Sequence, residues 1–497
     1  MDSTRDWSSL PSVPDFFSGQ CVFITGASGF MGKVLVEKIL RSCPEVDTLY
    51  LLLRPKKGKE IRERLHALTD VPLFDKLQKE RPEALNKLKA VQGDVSELNL
   101  GLSLEDWQVL QERVSIVFHM AASVRFDDPI MKAVLINVRG TREVVQLASG
   151  MKQLKILVHV STSYCNTKDK IVHEHLYEAP ADWRTVIEMV ETCDPFQLRI
   201  LTRKLMGYQP NTYTFAKALA EHIINDHREK LPVTIIRPSI VISSAREPVP
   251  GWIDNFNGPL GLFVGAGKGV VHVTLCKDSA RLDYIPVDIA CKALITAGWY
   301  EAHHRSNSLP VYHCSACDVK RITQGEVINI GTNIKDEVPF NNILYYPWCI
   351  STQNILIFYF MFVLTHIIPA VLVDGILKLN GKPTGLLKIQ RRIFNAILCL
   401  TYFTCNDWKF ENHQIIELSK FIRPEDEQDF QFMEENLDEV EFFRDATIGC
   451  RLYLLKEGSE SLPAARRHLK RMALLHYGLC SLMFLLPLWY AVSHLAA

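Results

Sequence analysis

The sequence predicts an α/β protein: a doubly wound parallel sheet first, then a mainly helical region, then a C-terminal membrane helix. Three observations predict it. A short apolar run from Cys21 to Thr25 ends in glycines spaced three apart, Gly26, Gly29 and Gly32, with a helix-like run from Lys33 to Leu40 behind it. Apolar, strand-like runs then alternate with helical ones as far as Val241, the pattern of parallel strands joined by crossover helices. Finally, Met472 to Ala497 carries no charged residue.

The bulk numbers exclude some classes. A chain of 497 residues has room for about two or three domains, and a hydrophobic content of 47% supports a packed core. Lys+Arg and Asp+Glu both total 56, so the formal net charge is zero and nothing suggests a nucleic-acid partner. The 13 cysteines show no repeated short spacing. The closest pair, Cys314 and Cys317, has no second cysteine or histidine pair at zinc spacing, so these read as reduced thiols in a cytosolic domain, without a metal. Met1 to Ser9 is polar, carries Asp2 and Asp6, and does not read as a signal peptide. His494-Leu495-Ala496-Ala497 matches neither a peroxisomal nor an endoplasmic-reticulum retention tail.

The first strand is Cys21–Thr25, and the turn Thr25-Gly26-Ala27-Ser28-Gly29-Phe30-Met31-Gly32 joins it to a helix. Glycines there let the backbone approach a pyrophosphate, and the helix N-terminus offers free N–H groups and the positive dipole end. The spacing departs from Gly-x-Gly-x-x-Gly, and an ordinary glycine-rich turn is the competing reading. Val46 to Leu53 is the second strand, followed directly by Arg54 and then Lys56, Lys57 and Lys59, with no acid until Glu60. A cation at this position suits a 2′-phosphate, so the expected cofactor is NADPH with Arg54 on its phosphate; a solvated basic loop is the alternative. Asp75 to Lys89 reads as helical and leads into Leu88–Val95, where Asp94, beside Val95, can accept from an adenine amino group.

Val114 to Ala122 is the fourth strand, ending in the small residues Ala121 and Ala122, which let the chain pass close to a cofactor. Ile156 to Val160 is the fifth and runs into Ser161-Thr162-Ser163-Tyr164. Asn166 to Gln209 reads as a helical insertion. Beyond it, Tyr213 and Lys217 lie four apart in a helix-forming run and share one face. An ammonium there lowers a phenol pKa and can orient a nicotinamide ribose. Val233 to Val241 is the sixth strand, and its Arg237-Pro238-Ser239 break can line the nicotinamide end. Pro250 to Pro259 reads as a substrate-side loop, and a helix follows from Ile289 to Trp299. A nicotinamide, Tyr213, Lys217 and the Thr162 hydroxyl together can reduce a carbonyl, with Ser161 and Ser163 as weaker candidates for the threonine's role.

Thr25 to Gly32, Asp94, Thr162, Tyr213-x-x-x-Lys217, Arg237-Pro238-Ser239 and Asp283-Tyr284-Ile285-Pro286-Val287-Asp288 resemble the extended short-chain dehydrogenases/reductases. The finer strings His119–Phe126, Val158–Asn166, Pro250–Asn255 and Gly449–Glu457 are similar to the eukaryotic fatty acyl-CoA reductases, from about Phe17 to about Glu457. One departure is visible: Asn436–Glu441 lacks the tryptophan expected before the Phe-Phe pair. The resemblance implies a Rossmann-type sheet and a long-chain acyl-CoA substrate, reduced through an aldehyde to a primary alcohol with two NADPH. A hydroxysteroid dehydrogenase or sugar-nucleotide enzyme, which should lack the Gly449–Glu457 string, and a silent NADPH-binding scaffold are the alternatives.

The boundaries expected are a tail over 1–16, the reductase domain over 17–345, a helical domain over 346–460 and a transmembrane anchor over 472–495. Ile355 to Val373 is about long enough to cross a bilayer, and Lys378, Lys382, Lys388, Arg391 and Arg392 follow it. It reads as a membrane-dipping or buried hairpin with Ile393 to Phe403 returning; a plain crossing is the alternative. Arg466, Arg467, Lys470 and Arg471 precede the charge-free tail, which orients the catalytic domain to the cytosol, with the endoplasmic reticulum favoured over the peroxisomal membrane. Oligomeric state is not legible.

Overall fold

The computed structural model describes residues 10–495 apart from 56, 57, 59, 305, 307, 317–321 and 434–436. Met1 to Ser9, Lys56, Lys57, Lys59, Cys317, Asn436 and Ala496–Ala497, all used above, lie outside the described residues. The described chain forms two compact units. One comprises 1–250, 283–321 and 408–437; the other comprises 251–282, 322–407 and 438–497. The chain thus passes between units several times, a different division from the contiguous segments drawn at 17–345 and 346–460.

The first unit is built on a parallel sheet. Among the described residues it has seven strands: β1 (Cys21–Thr25), β2 (Thr48–Leu53), β3 (Leu88–Gln92), β4 (Val114–His119), β5 (Ile156–Val160), β6 (Val233–Pro238) and β7 (Val311–Cys314), in the order β7-β6-β5-β4-β1-β2-β3. Each of β1, β2, β4, β5 and β6 is buried at every position, as expected of strands covered on both faces. Helices Phe30–Ser42 and Val287–His303 pack together, and Thr212–His227 packs on the helical segment 134–149. The strand order reverses between β1 and β4, so their carboxyl ends open a crevice of the kind that holds ligands.

Several elements differ from the sequence reading. β7 was not expected: Val311-Tyr312-His313-Cys314 is short, yet it pairs with β6 from Val311–Ile235 to Cys314–Pro238. The Asp75 to Lys89 stretch is a helix only over Asp75–Glu80, because Pro82 starts a tighter turn at Pro82–Lys87. The insertion does hold two helices, Trp183–Thr192 and Pro195–Met206, capped by Asp182 and Asp194. The Trp408–Leu437 segment joins this unit, with Lys409–Phe410 pairing along Ile171–Val172.

The second unit pairs Val273–Leu275 in parallel with Ile350–Thr352. A continuous helix runs from Ile355 to Leu379, with a wider turn at Val363–Ile367, and Leu386–Thr404 returns beside it. A third long helix, Leu462–Leu495, includes the charge-free tail. The Gly449–Glu457 string is internal scaffolding. Arg451 donates to the Pro339 carbonyl and pairs with Glu457 at 3.1 Å, and Glu457 also holds Lys268 at 2.5 Å. Gly251 has φ +71°, and a Cβ there would meet the Asp445 carbonyl oxygen at 2.0 Å, so a glycine is required where it passes the helix Glu439–Gly449. Among the described residues, two helices, Ile355–Leu379 and Ser459–Pro487, are long and apolar enough to cross a membrane, and the second is almost unburied.

Candidate active site

The glycine turn is shaped by steric exclusion. Gly26 has φ +78°, and a Cβ there would lie 2.7 Å from the Ala121 nitrogen. A Cβ on Gly32 would lie 2.3 Å from the Gly26 carbonyl oxygen and 2.7 Å from the Ala27 Cα. The turn closes through Gly29 N–H to the Gly26 carbonyl at 2.9 Å, and Gly29 then caps the helix Phe30–Ser42. Ser28 and Gly29 are exposed, while Phe30 and Met31 are half-buried. The first turn of that helix carries no acidic residue. The exposed backbone at a helix N-terminus, with glycines that admit close approach, fits a dinucleotide pyrophosphate.

Thr25 ties the turn to the next strand. Its Oγ1 accepts from the N–H groups of Met120 and Ala121, both at 3.2 Å. With both accepting sites used, its own proton goes to His119 Nδ1 at 2.8 Å; His119 Nε2 then donates to Thr141 Oγ1 at 2.9 Å, whose hydroxyl donates to the Asn137 carbonyl. Burial brings the His119 pKa down to about 3, so the ring is neutral. The Asn137 side chain accepts from Ser123 N–H and donates to Ser123 carbonyl, pinning the backbone just past Ala121 and Ala122. Sequence reasoning did not assign His119, Asn137 or Thr141. Their only signal was position, at a strand end and in the helix behind it.

Arg54 is exposed directly after β2, and Asp94 lies half-buried just past β3. The Asp94 carboxylate accepts from Ser96 N–H and Oγ, both at 2.9 Å. Val95 lies under the helix behind it: a Cβ on Gly140 would meet the Val95 carbonyl at 2.7 Å.

The residues expected to handle the proton, Thr162, Tyr213 and Lys217, gather at the end of β5. Asn211 caps the helix Thr212–His227, accepting from Thr214 N–H, and so sets Tyr213 and Lys217 in its first turns. The Thr162 hydroxyl lies near the Tyr213 phenol, where it favours the charged form, and accepts from the Tyr164 N–H at 3.3 Å. Ser163 donates to the Arg237 carbonyl at 2.8 Å and Ser161 faces Cys165, so neither competes with Thr162. Lys217 donates to the Val160 carbonyl at 2.6 Å, and burial lowers its pKa to about 8. Burial pushes the Tyr213 pKa up, and Thr162 opposes the rise. Phe126 stacks on Tyr213, with centroids 5.8 Å apart.

Arg237 is placed differently from its sequence role. Its guanidinium is wholly buried and gives two hydrogen bonds, at 2.8 and 2.7 Å, to Glu221, and others to the carbonyls of His173 and His175. Its side chain is therefore committed to scaffolding, and Pro238 and Ser239 remain as the candidates facing a cofactor. Ser239 Oγ and both ring nitrogens of His159 are buried without a hydrogen-bond partner among the described residues. Glu221 was also missed, although it stands four residues beyond Lys217 on the same helical face. The Gly251–Pro259 part of the expected substrate loop belongs to the second unit.

The chain is similar to known proteins over nearly its whole length. A family model for NAD-binding male sterility proteins matches residues 24–294, and a second model described as male sterility protein matches 365–457. Over 475 residues the chain is 38% identical to fatty acyl-CoA reductase 1 of Xenopus laevis, covering 96% of this chain and 92% of that one. Over 477 residues it is 36% identical to fatty acyl-CoA reductase 1 of Homo sapiens and 33% identical to fatty acyl-CoA reductase 2 of the same species, each time covering 96% of this chain and 93% of the relative. Among solved structures, the reductase domain of a nonribosomal peptide synthetase from Mycobacterium tuberculosis superposes with a TM-score of 0.60 at 17% identity, over 90% of this chain and 94% of that one. The terminal R domain of the myxalamid pathway superposes with a TM-score of 0.56 at 18% identity, over 87% and 91%. At such identities these two speak for the fold alone.

Proposed function

This chain belongs to the fatty acyl-CoA reductases, and from that membership we propose that it reduces a long-chain acyl-CoA to the primary fatty alcohol, releasing CoA. It is a nicotinamide-dependent oxidoreductase. We propose NADPH as the form used, on the strength of Arg54 directly after β2 and the absence of an acid before Glu60. Gly26, Gly29 and Gly32 would hold the pyrophosphate, Asp94 the adenine, and Tyr213 with Lys217 the nicotinamide ribose.

When bound, the nicotinamide supplies one hydride to the thioester carbon and a second, from a fresh cofactor, to the resulting aldehyde. This chain's own residues handle the oxygen. Thr162 and Tyr213 donate hydrogen bonds to the carbonyl oxygen as negative charge grows on it. Tyr213 then delivers its proton to that oxygen. In the first round the resulting hemithioacetal collapses to the aldehyde, its hydroxyl proton leaving with the CoA thiolate. In the second round the protonated oxygen is the alcohol. No cysteine nucleophile is needed.

The gathering of Thr162, Tyr213 and Lys217 at the end of β5, where Lys217 is held on the Val160 carbonyl, carries this reading. Purified protein given palmitoyl-CoA in detergent should consume about two NADPH per hexadecanol formed, counted by absorbance and gas chromatography, as two hydride steps require. Oxidation of NADPH with a sterol ketone and none with acyl-CoA would overturn it. Tyr213→Phe should abolish turnover while NADPH still quenches tryptophan fluorescence. We also propose that the tail helix anchors the protein with the catalytic unit on the cytosolic side, because Arg466, Arg467, Lys470 and Arg471 precede the apolar run.

A further inference from the structure

Helix Ile355–Leu379 is long and apolar enough to cross a membrane. The structure gives it another geometry. Both ends of the hairpin it forms return to one short strand. Ile350–Thr352, just before the helix, pairs with Val273–Leu275, and Thr404, where the returning helix ends, donates through Oγ1 to the Leu275 carbonyl at 2.8 Å. The middle is held to the same segment. His366 Nε2 accepts from the His272 N–H at 3.0 Å, and Gln390 Nε2 donates to the Val270 carbonyl at 3.1 Å. Start, middle and end of the hairpin therefore lie along residues 270–275. The helix rests against its folded unit instead of projecting from it.

A single crossing would put the two ends of the hairpin on opposite sides of a bilayer, which their shared strand forbids. A double crossing fails on charge. The turn and the first half of the returning helix carry Lys378, Lys382, Lys388, Arg391 and Arg392, all exposed, and crossing would carry these cations to the far side against the retention of Lys and Arg on the cytosolic face. Asp374 fixes the turn tightly, accepting from the N–H groups of Gly385, Leu386 and Leu387 at 3.0 to 3.1 Å.

What remains is an apolar face with an evident solvent. Only a narrow stripe of the helix is buried: Phe358, Phe362, His366 and Ala370, one every fourth residue. Outside that stripe, Leu356 is 73% exposed, Phe360 68%, Leu372 61% and Leu379 89%. Such a contiguous surface is far beyond what a soluble monomer shows to water. Next to the start of the helix, Tyr345, Tyr346 and Trp348 gather around His476 and Tyr477 of the tail helix, with the Tyr346 and His476 rings 5.1 Å apart. Aromatic rings of this kind mark the water–lipid boundary. They occur where the apolar part of the tail begins.

We propose that the second unit docks on a bilayer through the outer face of Ile355–Leu379, which lies in the membrane plane within one leaflet, while the basic turn rests on anionic headgroups. The occupant is lipid, because an exposed apolar face, cations at one end and aromatic rings at the other together fit a bilayer and its headgroups. The inference rests on the membrane-anchored reading above and makes the reductase monotopic over this segment. It also places the unit where an acyl chain need not leave the lipid phase to reach the protein.

The test uses the full chain in phosphatidylcholine vesicles with and without phosphatidylserine, a diazirine on the lipid acyl chain, and peptide mapping. Labels are expected on Leu356, Phe360, Leu372 and Leu379 and not on Phe358, Phe362 or Ala370, with more labelling when phosphatidylserine is present. Replacing Leu356, Phe360 and Leu372 together by Glu should remove the label from this helix and leave it on the tail. In microsomes, an Asn-x-Ser acceptor inserted in the turn after Lys382 should stay unglycosylated. Glycosylation there, or an unlabelled outer face, overturns the proposal. Palmitoyl-CoA reduction in detergent reads the catalytic assignment separately, so a failure of docking is distinguishable from a failure of that assignment.

Discussion

Lys217→Met should abolish turnover and at the same time make the protein more stable. The ammonium is buried beside β5 and donates to a single described partner, the Val160 carbonyl, at 2.6 Å. Burial lowers its pKa from 10.5 to about 8, with Glu221 pulling the other way. At roughly 1.4 kcal/mol per pH unit, that fall amounts to about 3 kcal/mol of stability lost near neutral pH. Methionine keeps the length and the apolar stem. It leaves the Val160 carbonyl without its donor, a cost of about 1 kcal/mol. Glu221 keeps its two hydrogen bonds to Arg237, so its charge stays compensated. The net expectation is a gain of about 2 kcal/mol near pH 7, once the lost donor is set against the relieved desolvation. The pH dependence separates this from generic stiffening. The folded state holds the Lys217 proton less tightly than the unfolded chain does. Between pH 8 and 10.5 the unfolded chain therefore binds more protons, and wild-type stability rises through that window. The advantage of the variant should shrink over the same range. Thermal melts followed by tryptophan fluorescence in detergent, near pH 7 and again near the top of that window, measure it. A variant less stable near neutral pH, or an advantage unchanged with pH, would refute the reasoning.

Gly26→Ala should destroy NADPH binding with little effect on the rest of the sheet: a left-handed alanine costs about 1–2 kcal/mol, and the new Cβ would sit 2.7 Å from the Ala121 nitrogen, which only a backbone shift relieves. Fluorescence titration with NADPH checks it. Arg54→Ala should weaken NADPH far more than NADH, because an exposed cation after β2 can distinguish only the 2′-phosphate; the ratio of the two dissociation constants is the readout, and an unchanged ratio removes Arg54 from that role. Glu221→Ala should lower stability by roughly 3–5 kcal/mol, as expected when one partner of a buried ion pair is removed, since Arg237 would be left charged at 0% exposure; a chemical-denaturation midpoint shared with wild type would contradict it.

Much of the first unit was legible because its signals are local. A glycine turn between an apolar run and a helix, a basic residue after β2, and Tyr213 four before Lys217 each occupy a few consecutive residues. What escaped was non-local. β7 is four residues long and is a strand only because β6 offers it an open edge. Arg237 looked like a cofactor ligand at a strand end; its partner Glu221 sits 16 residues away, and spacing along one element gives no hint that the two meet. The return of Trp408–Leu437 to the first unit depends on the pairing of Lys409–Phe410 with Ile171–Val172, more than two hundred residues apart. Helix Ile355–Leu379 shows the same limit: its own composition permits a crossing, the cations behind it speak against a double one, and the bonds of its hairpin to residues 270–275, which speak against a single one, are non-local.

The two displaced pKa values at the proposed catalytic end bear on the proton supply of the proposed reaction. Burial moves both groups toward their neutral forms: the Tyr213 phenol upward and the Lys217 ammonium downward to about 8. Near neutral pH the tyrosine therefore carries its proton, while lysine, still below its pKa, carries most of its charge. The neighbouring imidazoles do not disturb this, because burial keeps both His119 and His159 neutral. A carbonyl reduction consumes one proton at oxygen, so each round begins with the donor loaded. Alcohol oxidation would need the phenolate, the form that the dry site opposes. A thioester taken to an alcohol asks for two such protonations in succession and for no reversal between them. On the proposed reading, Tyr213 stays protonated through both rounds, and the Lys217 cation one turn along the helix supports its transfer.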